Sequence, residues 1–539
     1  MKWIDNKFIL SFLIGILMTL GWIPFKMPFF LFIGLVPALL LNDKIKQGKG
    51  QGFKYFRFLY LGFFIWNILT THWLGYAALS GFLAAAICNA ALMALPFVIY
   101  RKTKTHYNNR WGRLSIIPLY LAFEYLHFNW ELSWTWLTLG NAFASNPKLI
   151  QWYSYTGVLG GSLWILSMNY LLYRLLSISD RSRKSQIKQI LLILLLPIVI
   201  SLIQYINFDD SKWKTIEVTV AQPNIHSYTE KFSGMTMQKQ LDILVDESRK
   251  VLANTTKFLI WPETAIHRFN YSKIKRNRYI TKVYKTLVSE NNDLTIISGI
   301  SGYEPKQKKE SAYTLESNNG FFREEFNSAC KIDETLEYPI YHKSKLVPLV
   351  ERIPYQEHLF FFDWFSIDLA DAMISLNIQK EREVFISKDS IRAAPAICFE
   401  SVFGQYITDF VNKGADFITI LTNDSWWYYE TENNEFEGSK LGYQQHFNYA
   451  RLRAIENRRY IARSANTGIS GFIDARGEII SKTNYWERTA LTDQIKLNSN
   501  ITFYTKNGDV IGRIMLTVAL ILVLSRFVSR KTENFKYRN

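Results

Sequence analysis

Over the first two hundred positions apolar residues come in long blocks, at about 8–22, 28–41, 56–73, 79–100, 116–130, 158–176 and 190–206, and an eighth block covers 510–527. Several approach the roughly 20 residues that carry a helix across a bilayer. The first two are shorter, and Pro24 and Pro28 mark a tilt or hairpin there. No small-residue cleavage site follows the first block and another apolar block does, so an uncleaved helix is expected rather than a signal peptide. Beyond Asn207 the pattern changes. Short β-branched or apolar runs at 215–221, 257–261, 294–299, 391–397 and 417–422 predict strands. The window 235–252 repeats Met237, Leu241, Leu244, Val245 and Leu252 close to the helical period. Residues 460–480 read as strand-like runs punctuated by Asn466, Gly468 and Gly471. Strands alternating with helices predict an α/β layer fold. The expected organisation is a transmembrane domain of seven helices over 1–206, an extracytoplasmic α/β domain over 207–500, and a last transmembrane helix with a basic tail over 501–539.

Charge gives this pattern a direction. The chain of 539 residues carries a net charge of +17, which in a soluble protein raises the prospect of nucleic acid binding. Here the bases lie between the apolar blocks, which favours a membrane and argues against nucleic acid. Lys44, Lys46, Lys49, Lys54 and Arg57 fill one loop; Arg101, Lys102, Lys104, Arg110 and Arg113 fill a second; Arg174, Arg181, Arg183, Lys184 and Lys188 fill a third. Lys26 and Lys148 are the clear bases of the intervening loops. With basic loops inside, both termini are cytoplasmic and the α/β domain lies outside. Cys88, Cys330 and Cys398 form no CxxC pair and no Cys/His cluster, so neither a disulfide framework nor a zinc site is expected, and no metal or other cofactor is called for.

Candidate chemistry is sparse. Cys398 ends the apolar run 391–397 and is followed two residues later by Glu400; a lone cysteine of this kind is as readily a small buried hydrophobe as a nucleophile. Glu263 follows Leu-Ile-Trp-Pro, which leaves its carboxylate at the carboxyl-terminal rim of a strand, where open α/β sheets bind ligands. Lys343 lies in YHKSKLVPLVE and reads equally as a surface base. Glu124 and His127 sit inside the fifth apolar block, facing a cavity or pairing at the interface. Trp426, Trp427, Tyr428 and Tyr429 suit a membrane interface or a packed core.

The three separated residues gain meaning together. WPE, then YxKxxLVP about eighty residues on, then ICFE resembles the Glu, Lys and Cys triad of the nitrilase superfamily, whose fold is an αββα sandwich. With the helical amino-terminal region and the final helix, the chain resembles the apolipoprotein N-acyltransferase family over nearly its whole length. AQPNI at Ala221, LIWPET at Leu259, NSA at Asn327, TNDSWW at Thr422, QH at Gln445, ARLRAIENRR at Ala450 and NTGISGFIDARGE at Asn466 are further similar stretches. FEYL at Phe123 and WLTLGNAFASNP at Trp136 look like the family's membrane half. The resemblance implies Glu263, Lys343 and Cys398 as catalytic residues, with Glu351, Glu400 and Phe399 in support. Trp426, Trp427, Phe232 and Glu124 become candidates for substrate or lid contact. For Glu351 and Glu400 the other reading is a salt bridge on the domain rim. Three departures stand out: Leu349 and Val350 where the family has Phe-Gly, Phe399 where it has tyrosine, and Phe232 where it has tryptophan.

The activity so implied is transfer of an acyl chain from a membrane phospholipid, through a cysteine thioester, to the α-amine of the S-diacylglyceryl cysteine that begins an apolipoprotein. The implied location is the bacterial inner membrane with the catalytic domain periplasmic. Two other readings stay open from the residues alone: a membrane-tethered carbon-nitrogen hydrolase using the same triad, and a membrane receptor without catalysis.

Overall fold

The apolar blocks become helices, two of which run on through an internal proline, Pro96 and Pro197. In the computed structural model, which describes residues 6–107, 109–177, 183–317, 319–357, 375–431, 433 and 435–536, the long blocks form helices Lys7–Thr19, Gln51–Thr71, Leu79–Tyr107, Ile116–Phe128, Tyr153–Ser177, Arg183–Ile206 and Val510–Lys536. The block at 28–41 does not make one helix. It breaks into the turn Pro28–Phe30 and the helices Leu31–Gly34 and Val36–Lys44, the last with Pro37 in its first turn, where a missing N–H costs nothing. These helices, with residues 507–539, form one compact unit, 1–207 and 507–539; residues 208–506 form the other.

In the first unit, helices Lys7–Thr19 and Gln51–Thr71 approach so closely that a Cβ on Gly62 would lie 2.7 Å from the Ser11 carbonyl oxygen. Small residues at such a crossing are how helices pack where no hydrophobic force drives them together. Among the described residues two helices, Leu79–Tyr107 and Arg183–Ile206, are long and apolar enough to cross a membrane. On Arg183–Ile206 only Gln186 and Ser201 are buried, while Leu192, Leu195, Val199 and Ile203 remain exposed. Arg181 of the third basic loop lies outside the described residues.

The second unit is built from two sheets. Its strands are β1 Lys214–Gln222, β2 Thr256–Ile260, β3 Ile266–Asn270, β4 Thr295–Lys306, β5 Leu315–Glu316, β6 Phe322–Ile332, β7 Ile340–His342, β8 Phe385–Ile386, β9 Arg392–Ile397, β10 Phe417–Thr422, β11 Tyr428–Glu430, β12 Phe436–Gly438, β13 Ile461–Ala465, β14 Gly471–Ile473, β15 Ile479–Lys482 and β16 Thr489–Leu497. One sheet runs β16-β1-β2-β4-β6-β5, with β3 beside β4 and β7 beside β6; the other runs β15-β14-β13-β10-β9-β8. Strands β1, β2 and β4 are parallel, as are β9, β10 and β13.

Alternation along β2 decides the layers. Phe258 faces the second sheet, where its ring meets Phe417 edge-on with centroids 5.0 Å apart. Its neighbour Leu259 faces outward into a cluster with Trp261 and with Leu241, Leu244 and Val245 of helix Met237–Arg249. Successive strand side chains point to opposite faces, so one strand serves both layers. That helix starts where Thr236 accepts the Lys239 amide at 3.3 Å. Helices Gly404–Asn412 and Leu441–Asn457 cover the second sheet, completing an αββα sandwich.

The central strands end together. Beyond β2 the Trp261 amide still reaches the Ile297 carbonyl at 2.9 Å, and the chain then turns through Pro262 and Glu263. Gly299 on β4 makes this turn possible: a Cβ there would sit 2.3 Å from the Pro262 carbonyl oxygen and 2.6 Å from the Glu263 Cα. Backbone at that distance must move, so Gly299→Ala is expected to destabilise the domain by about 1–3 kcal/mol, the usual cost of overpacking. Denaturant unfolding checks this, and unchanged stability would contradict the close approach.

Candidate active site

Three strand ends meet at one buried place. β7 pairs with β6 through Ser328 and His342, so one step further Asn327 and Lys343 are cross-strand neighbours, and the Lys343 amide donates to the Asn327 carbonyl at 2.8 Å. The Lys343 ammonium then lies 3.0 Å from Glu263 Oε1 and 2.9 Å from Glu351 Oε1. Asn327 Nδ2 donates to the same two oxygens, at 2.7 and 3.2 Å. The Val347 amide holds the other Glu351 oxygen at 2.7 Å. Lys343 is 1% exposed. Burial works to lower its pKa, but the carboxylates of Glu263 and Glu351 raise it well above the ordinary lysine value, so it stays charged.

Cys398 follows β9, the parallel strand beside β10, and opens the short turn Cys398–Val402. Its φ is +47°, a left-handed conformation that costs an L-residue roughly 1–2 kcal/mol. Part of the residue reaches the surface, yet burial of the thiol pushes its pKa well above the usual cysteine value, and Glu263 adds to this; Lys343 and a hydrogen bond with Thr422 lower it without reversing the balance. The lowering effect of Lys343 on the thiol is therefore present but outweighed.

Glu400 is fully buried and touches neither Lys343 nor the thiol in the hydrogen-bond network described. Oε1 accepts from Tyr341 at 2.8 Å, Tyr406 at 2.5 Å and the Ser344 amide at 2.7 Å, and Oε2 accepts from the Ile397 amide at 2.8 Å. Burial pushes its pKa up, against these donors. One carboxylate thus ties the segment that carries Lys343 to the strand that carries Cys398. Phe399 is buried with its ring edge-on to Phe403 at 5.0 Å. At the other departure, Leu349 takes φ +64°, so the left-handed residue of that turn is a leucine, one position before Val350.

Of the remaining candidates, Phe232 is half-buried and its ring lies nearly parallel to Trp426, centroids 6.3 Å apart. Trp427 stands edge-on to His446 at 6.1 Å. Glu124 belongs to the helical unit, where its Oε1 accepts the Leu139 amide at 2.8 Å. Sequence reading gave no role to Asn327, which binds both carboxylates, although the NSA stretch at that position marked it. Nor did it find Lys231, which is 2% exposed and donates to the Glu263 carbonyl oxygen at 3.0 Å. Burial lowers the Lys231 pKa to about 8, with Glu263 opposing. Among the described residues no group of three or more His, Cys, Asp or Glu is placed to hold a metal ion. What the arrangement offers is a thiol, a carboxylate and a fixed ammonium around one point, the parts of nucleophilic catalysis at a carbonyl.

Comparison with known proteins follows this division of the chain. Residues 14–171 match the apolipoprotein N-acyltransferase N-terminal domain, and residues 217–502 match the carbon-nitrogen hydrolase family. An apolipoprotein N-acyltransferase of Chlorobaculum tepidum is 28% identical over 548 aligned positions, covering 98% of this chain and 98% of that protein. Another from Thermotoga maritima is 27% identical, covering 79% of this chain and 73% of its own length. Among solved structures, Saccharomyces cerevisiae Nit3, a nitrilase superfamily member, is 13% identical with a TM-score of 0.35, covering 52% of this chain and 90% of that one. The chain belongs to the carbon-nitrogen hydrolase family, joined to an apolipoprotein N-acyltransferase N-terminal domain.

Proposed function

We propose that the protein transfers an acyl chain from a membrane phospholipid, through a thioester on Cys398, to the α-amine of the amino-terminal S-diacylglyceryl cysteine of apolipoproteins. The observation that carries this reading is the Glu263–Lys343 contact beside Cys398, in a chain that matches the N-acyltransferase N-terminal domain as well as the hydrolase family. The relatives from Chlorobaculum tepidum and Thermotoga maritima, both apolipoprotein N-acyltransferases, support the same reaction.

The steps follow from the geometry. At rest the thiol keeps its proton, because burial and the Glu263 charge raise its pKa. Attack of Cys398 Sγ on the donor ester carbon therefore goes with transfer of that proton to Glu263. The tetrahedral oxyanion is stabilised by the Lys343 ammonium, which is already in place and needs no reorganisation. Collapse breaks the ester C–O bond, and Glu263 returns the proton to the departing lysophospholipid oxygen. The acceptor amine then attacks the thioester and loses a proton to Glu263; the C–S bond breaks and Cys398 regains its proton. Glu351 and Asn327 orient the charged pair, and Glu400 fixes the two segments that carry Lys343 and Cys398. The half-buried Phe232–Trp426 pair suits an apolar substrate chain.

Two candidate crossings and the exposed apolar side chains of Arg183–Ile206 support anchoring in a membrane. The basic loops favour cytoplasmic termini and a periplasmic catalytic unit. Holding enzyme, donor and acceptor in one leaflet raises their effective concentration without any new contact.

Incubation with phospholipid vesicles is expected to add an acyl group to the intact protein, read by mass spectrometry, and Cys398→Ala is expected to carry none. An adduct retained by that variant would sink the nucleophile assignment. With a diacylglyceryl lipopeptide present, labelled acyl chain should pass to the peptide; release to water alone would favour the hydrolase reading. Glu263→Gln is expected to slow acyl-enzyme formation about 10²–10⁴-fold, the usual worth of a general base. Lys343→Met is expected to slow it about 10²–10³-fold, as for loss of an oxyanion donor. Rates within threefold of the unaltered enzyme, measured by quenched-flow mass analysis, would remove either residue from the mechanism.

A further inference from the structure

A left-handed cysteine persists only when its surroundings over-determine it. Before Cys398 the backbone is held by β9 and by the Ile397 amide on Glu400 Oε2, at 2.8 Å. After it, the Cys398 carbonyl oxygen accepts from Ser401 Oγ at 2.7 Å and meets His446 Nε2 at 3.2 Å. His446 Nδ1 in turn faces Asp424 Oδ1 at 2.9 Å, and Asp424 Oδ2 receives Arg463 Nη2 at 2.6 Å. The side chains of Asp424 and Arg463 are 0% exposed and that of His446 is 1% exposed.

The chemistry of the contacts sets their direction. A carbonyl only accepts, so His446 Nε2 is the donor in that contact, and it also lies 3.1 Å from Ser401 Oγ; His446 Nδ1 lies 2.9 Å from Asp424 Oδ1 and 3.3 Å from Arg463 Nη2. Arg463 and His446 counter the tendency of burial to raise the Asp424 pKa, and together hold it below the usual aspartate value. Asp424 has little room to shift: its amide donates to the Thr467 carbonyl at 2.8 Å, and a Cβ on Gly468 would lie 2.8 Å from its Oδ2. Arg463 is also anchored, its Nε donating to the Ile469 carbonyl at 3.2 Å. The series reaches the backbone oxygen of the nucleophile.

We propose that Arg463, Asp424 and His446 are positioning residues, a buried relay that holds the Cys398 carbonyl, and with it the left-handed backbone that aims the thiol at Glu263 and Lys343. Because a peptide unit is planar, fixing that oxygen fixes the whole Cys398–Phe399 plane. A buried ionic series of this kind is costly to desolvate and adds little net stability over an apolar core; its return is in geometry. The proposal rests on Cys398 being the nucleophile of acyl transfer.

The test compares His446→Gln, whose amide nitrogen can replace Nε2 as donor, with His446→Leu, which has none. Acyl-enzyme formation from phospholipid vesicles is expected to slow about 30-fold or more in His446→Leu and to stay within about fivefold of the unaltered enzyme in His446→Gln, with KM unchanged in both, as for misplacement of a reacting group. A crystal structure of His446→Leu is expected to show Cys398 outside the left-handed region. Equal slowing in the two variants, no slowing in the leucine variant, or a positive φ retained there would each overturn the relay. If His446→Leu does not fold, Ser401→Ala removes the other donor to the same oxygen and is expected to slow acylation about tenfold; an unchanged rate would equally overturn the proposal. An unaltered enzyme that accepts no acyl group refutes the acyl-transfer reading instead, and the φ comparison still decides the relay.

Discussion

Lys343, buried between Glu263 and Glu351, is the interaction on which the catalytic unit turns. Taking an ammonium out of water costs several kcal/mol even after relaxation, and only close, well-directed carboxylates offset it. Here both stand within 3.0 Å, and Asn327 binds the same two oxygens, so neither can swing away without stranding a charge. The arrangement is consequently preorganised: the positive charge is fixed in place, and the carboxylate that holds it also presses on the thiol. Burial of the thiol first, and that carboxylate second, keep Cys398 protonated at rest, despite the lysine beside it.

The rest of the domain serves to bring that charge pair and the thiol together. Glu263 arrives from β2, Lys343 from β7 at the far side of the same sheet, and Cys398 from β9 of the other sheet. Glu400 closes the arrangement by accepting amides from both the lysine and cysteine segments. Gly299 lets β4 pass under the Glu263 turn, a close approach that no side chain would allow. Two left-handed residues, Cys398 and Leu349, lie beside these contacts, as expected where tertiary packing imposes a backbone that local preference resists.

Regular pattern was legible and irregular contact was not. The strand runs at 417–422 and 391–397 and the helical repeat around Leu241 and Leu244 appear where their periods put them. The apolar block at 28–41 reads as one segment by hydropathy but folds as three short pieces, since hydropathy is blind to where a proline restarts a helix. Glu263, Lys343 and Cys398 were legible as a set through the spacing of known motifs, and their meeting at one place is a matter of strand order. Asp424 and His446 stood in similar stretches, TNDSWW and QH, with no role attached, because nothing in either stretch indicates that they pair or that the histidine meets a backbone oxygen 48 residues away. Lys231 carried no signal at all: a lysine in HSYTEKF reads as a surface base, and its burial against the Glu263 carbonyl is purely tertiary.

By itself the sequence determined the division into an apolar helical part and an α/β part, the sign and placement of the basic loops, and the identity of the candidate side chains, because period, charge and residue type are local properties. The tertiary structure alone decided what those side chains do to one another. Whether Lys343 is a surface base or a charge locked between two carboxylates, whether Glu400 touches the reacting groups or braces them, and whether the Cys398 thiol is ionised or held protonated all depend on distance and burial. Those quantities arise from contacts between segments up to 135 residues apart, Glu263 to Cys398, and no local pattern encodes them.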